Sequence, residues 1–384
     1  MSGEPLALYI HWPFCLSKCP YCDFNSHVRH TIDIKRWRQG LLSEFNYFAE
    51  RIGGSKISSI FFGGGTPSLM PPDLVGKLIE HVDGKWGLLP GCEITLEANP
   101  TSAEIKNFEL LAQAGVNRLS VGVQALKDED LAFLGREHSS KEALCAVDTA
   151  CKAVDRVSLD LIYARPNQTL KSWKRELLAG LSTGVNHISL YQLTLEKGTK
   201  FFASHRKGAF KLPAEDLAIA LFQTTRDLCQ SEGFPAYEVS NHAKPGQESR
   251  HNLSYWRGQS YLGIGPGAHG RVKINGYLHS TEQISSPENW LRAVEKQGHA
   301  TRKMEKLPKK TQIEELLLMG LRLTDGLDRR RFMENTGLKI EEAVSRKALT
   351  ALRNIGLIEL DANGLRVTKN GLLKLNSVIS KLLL

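Results

Sequence analysis

Six short β-rich runs, each followed by a stretch of helical periodicity, fill the first half of the chain. The runs are LALYIHW (6–12), ISSIFF (57–62), EITLEA (93–98), RLSVGV (118–123), VSLDLIY (157–163) and HISLYQLTLE (187–196). Helical patterns lie between them at 34–51, 103–114, 139–153 and 170–183. This rhythm builds βα units around a parallel sheet. Six units predict an α/β fold, a partial (β/α)6 TIM-type barrel, with a doubly wound open sheet as the competitor. In both folds chemistry sits at the C-terminal ends of the strands. Here those ends carry the glycine-rich and polar residues.

The rhythm weakens after about residue 235. Residues 240–280 are rich in Gly, His, Asn and aromatics, too rich in large side chains for a disordered linker, and are expected to form a structured functional loop region. KMEKLPKK (303–310) has the charge and the proline of a linker. Beyond it, QIEELLLMGLRL reads as a helix, followed by helices near 328–335 and 340–354. Two alternating strands then flank Asn363-Gly364, a two-residue hairpin signal. Three helices and a hairpin predict a small winged-helix-like domain. The expected units are 1–235, 236–302 and 311–384. A 384-residue chain with 41% hydrophobic content can bury cores for them. The N-terminus lacks secretory character, and no apolar run reaches the ~18 residues of a membrane span. The expected location is cytoplasmic, with peripheral contact at an inner membrane left open. A formal net charge of +9 suits acidic partners.

Three of the seven cysteines fall within eight residues, CLSKCPYC, directly after the first strand. Clustered cysteines in a reducing compartment favour metal ligation over disulfides. Cys92, Cys145, Cys151 and Cys229 stand in apolar surroundings and read as small buried hydrophobes. Three thiolates, Cys15, Cys19 and Cys22, can hold three irons of a [4Fe–4S] cube and leave the fourth open to a small chelating ligand. Zinc with a fourth ligand from His11 or His27 is the alternative. Lys18 and loop amides can offset cluster charge, and Tyr21 can stack on a bound ring. The glycines of GGGTP (63–67) permit close backbone approach to a ligand, or simply a tight turn. Glu97, Gln124 and Asp160 lie at or near the ends of three successive strands. Buried carboxylates there need partners, and one ligand spanning a barrel mouth would supply them; local hydrogen bonds would also do so.

YIHWPFCLSKCPYCDFNS resembles the signature of the radical S-adenosylmethionine (SAM) superfamily. Within it the chain resembles the HemN/HemW group over nearly its whole length. That resemblance implies an incomplete (β/α)6 barrel and a small helical C-terminal domain. It implies that SAM chelates the open iron, with Gly64, Gly65 and Thr66 contacting its methionine moiety. Tyr9, Glu97, Gln124 and Arg136 become SAM contacts, Arg136 near the carboxylate and Asp160 suited to the ribose hydroxyls.

Two members of the group compete. HemN-type enzymes are oxygen-independent coproporphyrinogen III dehydrogenases; HemW-type proteins are heme chaperones that deliver heme to acceptors such as respiratory cytochromes. HemN enzymes carry a further cysteine where this chain has Phe24, and an N-terminal extension for which a first strand at residue 6 leaves no room. RHNLSYWRG contains the H-N-x-x-Y-W pattern associated with HemW-like proteins: His251, Asn252, Tyr255 and Trp256. Imidazole is a good axial ligand for heme iron. Tyr255 and Trp256 can flank a macrocycle, and Arg250 or Arg257 can meet propionates. The alternative is that His251 and Asn252 brace a loop. The expected cofactors are therefore a [4Fe–4S] cluster, SAM and heme, without coproporphyrinogen III dehydrogenase activity. A nucleic-acid-binding role for the basic C-terminal region, densest at Arg329, Arg330 and Arg331, is a third reading. Glu341 and Glu342 would repel phosphate at the start of its candidate recognition helix, so no nucleic acid is expected.

Overall fold

The computed structural model describes residues 4–52 and 55–383. Its central sheet has eleven strands. Six of them, β1 (Leu6–Trp12), β2 (Ile57–Gly64), β3 (Leu88–Ala98), β4 (Arg118–Gln124), β5 (Arg156–Tyr163) and β6 (His187–Gln192), pair in parallel and in chain order. A doubly wound sheet would reverse its strand order partway; this one runs from β1 to β6 without reversal. Antiparallel β7 (Asn241–Ala243) extends the β6 edge. Beyond β1 come parallel β8 (Tyr261–Ile264) and antiparallel β9 (His269–Ile274), β10 (Tyr277–Gln283) and β11 (Thr301–Lys306). The pairing order ends at β7 and β11, so the barrel is partial.

Alternation decides which side each residue faces. Leu6, Leu8, Ile10 and Trp12 of β1 are buried in the main core. There they meet helices such as α1 (Ile34–Ala49), which buries Trp37, Leu41, Phe45 and Phe48. Asp33 caps α1 by accepting from the Arg36 amide at 3.1 Å. Further covering helices are α2 (Pro72–Trp86), α3 (Ser140–Ala153), α4 (Leu170–Leu181) and α5 (Glu215–Ser231).

The 240–280 stretch is sheet extension rather than loop. It holds β7, β8 and β9 and the helix α6 (Arg250–Trp256). Strands of three to six residues, interrupted by glycines, carry too little periodicity to be read. The linker expected at 303–310 is also absent: β11 runs to Lys306 and α8 (Lys309–Gly320) starts three residues on, after α7 (Pro287–Gln297). The charges of TRKMEK are those of an exposed edge strand, where charge discourages further pairing. A buried carboxylate ties this extension to the barrel. Glu44 of α1 accepts from the amides of Gly265 and Ala300 and from Trp290 Nε1, and Trp37 stacks on Trp290 at 5.2 Å.

A second apolar core runs from Leu316 to Leu382. It joins α8, α9 (Arg329–Thr336), α10 (Arg346–Asn354) and α11 (Leu375–Leu383) to a small sheet of β12 (Leu327–Asp328), β13 (Ile358–Leu360) and β14 (Gly364–Val367). The helix expected over 340–354 is broken at Val344–Ser345. Ser345 caps the second piece, its Oγ accepting from the Ala348 amide. The hairpin turn is shifted by one residue, to Ala362-Asn363, where the Asp361 amide donates to the Gly364 carbonyl at 3.0 Å. Leu360 pairs with Leu365, and Asp361 Oδ1 accepts from the amides of Asn363 and Gly364, so the aspartate organises the loop.

Candidate functional site

The segment after β1 folds back so that Phe14–Cys15 pairs in parallel with His27–Val28. Between them the cysteine loop is tightened by the Cys22 amide on the Cys19 carbonyl and by Lys18 Nζ on the Ser26 carbonyl. All three cysteines line a cavity of about 610 Å³ at the C-terminal ends of the strands. Each sulfur has a polar neighbour. Thr66 Oγ1 donates to Cys15 Sγ at 3.4 Å, Arg136 Nη1 donates to Cys19 Sγ at 3.4 Å, and the Ser26 hydroxyl lies 3.7 Å from Cys22 Sγ. Burial pushes the Cys15 thiol up, and Cys22 and Cys19 add to it. The surrounding donors are placed for anionic sulfur, the form in which thiolates hold a metal centre. The residues fit a cluster.

The histidines of the zinc alternative are engaged by protein groups. His11 is buried, with Nδ1 on the Tyr9 hydroxyl and Nε2 on the Asn25 carbonyl. His27 Nε2 is engaged by Asn25 Oδ1. Among the described residues no three His, Cys, Asp or Glu side chains are grouped to hold a single ion.

The glycine turn ending β2 packs against this loop. Gly64 has φ 117° and donates its amide to Glu97 Oε2 at 3.2 Å. A Cβ there would stand 2.5 Å from the His11 ring, and one on Gly65 2.6 Å from the Phe14 carbonyl. Close approach of two backbones explains both glycines. Gly65 and Thr66 line the cavity. Asn99, which the sequence reading missed, bridges the two walls. Its Nδ2 donates to Thr66 Oγ1 at 3.0 Å and its Oδ1 accepts from Arg136 Nη2 at 2.5 Å. The Asn-Pro pair closing EANP at a strand end was the available signal.

Glu97, Gln124, Arg136, Asp160 and Tyr21 also line the cavity. Burial, with Asp160 nearby, pushes the Glu97 carboxyl up to about 7 against the pull of the Gly64 amide. Burial likewise raises Asp160, although Ser120 and Ser158 each donate to it at 2.9 Å. Gln124 adopts φ 68°, an uncommon backbone for a residue other than glycine, and such strain is often kept at ligand sites. Tyr9 is not brought in. It stacks on Phe61 at 6.2 Å, outside the cavity lining.

The H-N-x-x-Y-W residues, among them the expected heme ligand His251, lie elsewhere. Helix α6 plugs the barrel at the N-terminal ends of the strands. His251 is fully buried. Its Nδ1 meets Ser59 Oγ at 2.8 Å, its Nε2 meets the Tyr255 hydroxyl at 2.5 Å, and its amide donates to Glu93 Oε1 at 2.9 Å. Burial pushes it down to about 3, with Arg118 adding to that and Glu93 opposing. An axial ligand needs a free ring nitrogen, and both are taken. Tyr255 packs edge-on to Tyr261, Trp256 lies against Tyr237, and the Asn252 amide donates to Ser249 Oγ. None of the four lines the cavity. They brace the barrel floor.

Residues 9–177 match the family model described as the radical SAM superfamily, and residues 307–373 match the HemN C-terminal domain. A mouse protein called radical S-adenosyl methionine domain-containing protein 1, mitochondrial, is 40% identical over 98% of this chain and 87% of its own length. The heme chaperone HemW of Haemophilus influenzae is 35% identical over 98% of this chain and 97% of its own. Among solved structures, coproporphyrinogen III oxidase (HemN) from Escherichia coli superposes with a TM-score of 0.82 at 23% identity, covering 99% of this chain and 90% of that one. This last likeness concerns the fold.

Proposed function

This chain belongs to the HemW-like group of the radical SAM superfamily, and on that premise we propose that it is a heme chaperone carrying a [4Fe–4S] cluster and SAM. The observation that carries the reading is the cavity wall on which three thiols, a glycine turn, two carboxylates and Arg136 converge. Cys15, Cys19 and Cys22 would hold the cluster, which supplies an iron open to chelation and an electron source when bound. Thr66 and Arg136 would offset charge on its sulfurs. Glu97 and Asp160 would face a cationic ligand with hydroxyls, as SAM is, and the Ser120 and Ser158 hydroxyls would hold Asp160 in orientation. The cavity suits a ligand of SAM's size. Acceptors of the heme would include respiratory cytochromes. No described helix is long and apolar enough to cross a membrane.

The dehydrogenase reading is supported by the HemN-like fold but opposed by Phe24, which is 59% exposed where HemN-type enzymes resemble one another in a cysteine. One anaerobically reconstituted preparation separates the two. It should bind heme, seen as a Soret band that titrates to saturation, and give no protoporphyrinogen IX from coproporphyrinogen III with SAM and reductant. Turnover above a cluster-free control would restore the enzyme reading.

A further inference from the structure

The cavity has a wall that the SAM assignment leaves unused. At and past the end of β6 it is lined by Tyr191, Thr194, Val239, Ser240 and Arg322. Arg322 comes from the C-terminal unit. It follows α8 and stands between Leu321 and Leu323, both buried. Its backbone is fastened to the barrel. The Thr324 amide donates to the Tyr237 carbonyl at 3.0 Å, and Thr324 Oγ1 donates to the Ala236 carbonyl at 2.8 Å.

The guanidinium is aimed as well as anchored. Arg322 Nη2 donates to Glu238 Oε2 at 3.0 Å. Glu238 is fully buried and held in turn by the Ser240 amide and Asn241 Nδ2. That contact uses one of five donors. The side chain remains 36% exposed on the cavity wall. The cavity's other cations are committed. Arg136 donates to Cys19 Sγ, Asn99 and the Gly122 carbonyl, and Lys18 donates to the carbonyls of Phe24 and Ser26.

Six carboxylates share the rest of the lining: Asp23, Glu97, Glu104, Glu137, Asp160 and Glu196. Such a wall suits a sulfonium and repels an anion. A ligand with both an apolar body and a carboxylate finds in Arg322 a place for its charge on the wall that SAM leaves unused. Apolar surface is available at the same mouth, where Leu16 and Phe24 line the cavity while 43% and 59% exposed.

We propose that Arg322 is a carboxylate-binding residue for the cargo, so that the C-terminal unit completes the binding site. The proposal rests on the heme reading and names the group that holds a propionate. A planar guanidinium fork pairs bidentately with a carboxylate, and Glu238 keeps the fork pointed at the cavity.

The test compares acid with ester on full-length reconstituted protein. Heme and its dimethyl ester are titrated, and metal-free protoporphyrin IX and its dimethyl ester serve as a second pair. The unaltered protein should prefer each acid by about tenfold or more. Arg322→Gln should erase the preference while iron content and SAM affinity stay unchanged; Arg322→Lys should recover part of it. The ratio of acid to ester cancels any general loosening of the fold. An acid preference equal in Arg322→Gln and the parent overturns the proposal. Heme and its ester binding equally to the parent also overturns it and leaves the chaperone reading standing. Discrimination between the porphyrins without heme binding would keep the carboxylate site and sink the heme reading. Binding of none of the four would sink both.

Discussion

At the floor of the barrel Glu93 accepts from Arg156 Nη1 at 2.6 Å and from the amides of Arg250 and His251. His187 spends one nitrogen on Ser158 and the other on the Tyr237 hydroxyl. At the mouth, further along the same strand, Glu97 has a single amide donor, and the three cysteines line the cavity. Both ends are polar. The difference lies in the partners. Polar groups satisfied wholly by protein hold a fold in register; polar groups satisfied in part and facing a cavity are arranged for something that is to bind. A titratable residue is therefore assigned by what its second and third hydrogen bonds meet, and only then by its chemical type.

The largest effect should come from the mouth. Cys15→Ala, Cys19→Ala or Cys22→Ala should abolish cluster assembly, read as iron and sulfide content after anaerobic reconstitution, because no fourth protein ligand stands by to substitute. Cys92→Ala and Cys229→Ala, at buried sites, should retain it. Retention in a Cys19 variant alongside loss in a Cys229 variant would reverse the assignment.

The floor should answer in stability instead. Glu93→Ala leaves Arg156 and two amides without their acceptor, and breaking a buried pair costs about 3–5 kcal/mol. Denaturant unfolding should show that loss; a change under 1 kcal/mol would mean the floor is not the brace described.

Glu97 sharpens the contrast through pH. Burial pushes its carboxyl up to about 7 from an ordinary 4.5. Between those values the folded protein binds a proton that the unfolded chain has released, so this group makes stability fall as pH rises through the window. The fall amounts to roughly 3 kcal/mol. Glu97→Gln should remove it, leaving the similar contribution of Glu44, which burial also raises to about 7. An unchanged slope between pH 5 and 7 would place the Glu97 proton elsewhere.

The parts legible in the sequence were those set by short-range rules. Strands β1 to β6 showed in their apolar runs, and the cysteine loop showed in its spacing. Glu97 and Gln124 could be placed because strand ends could be placed; Asp160 instead sits in the middle of β5. What stayed hidden depended on distant partners. Asn99 matters only because Thr66 and Arg136 arrive on either side of it. The β11 edge reads as a linker until β10 is laid beside it, and the hairpin turn falls one residue earlier than Asn363-Gly364 suggests. His251 is the clearest case. Its neighbours in sequence, two aromatics and two arginines, are what a heme site would want, whereas its neighbours in space are Ser59 and Glu93, some 190 and 160 residues away.

His251 also gives the most direct test of the distinction between floor and mouth. His251→Gln should be measured twice on one reconstituted preparation, by heme titration and by denaturant unfolding. The account predicts unchanged heme affinity with a loss of about 1–3 kcal/mol in stability, the cost of unpaired Ser59 and Tyr255 hydroxyls. Heme affinity lost at unchanged stability would contradict it and return the imidazole to the iron.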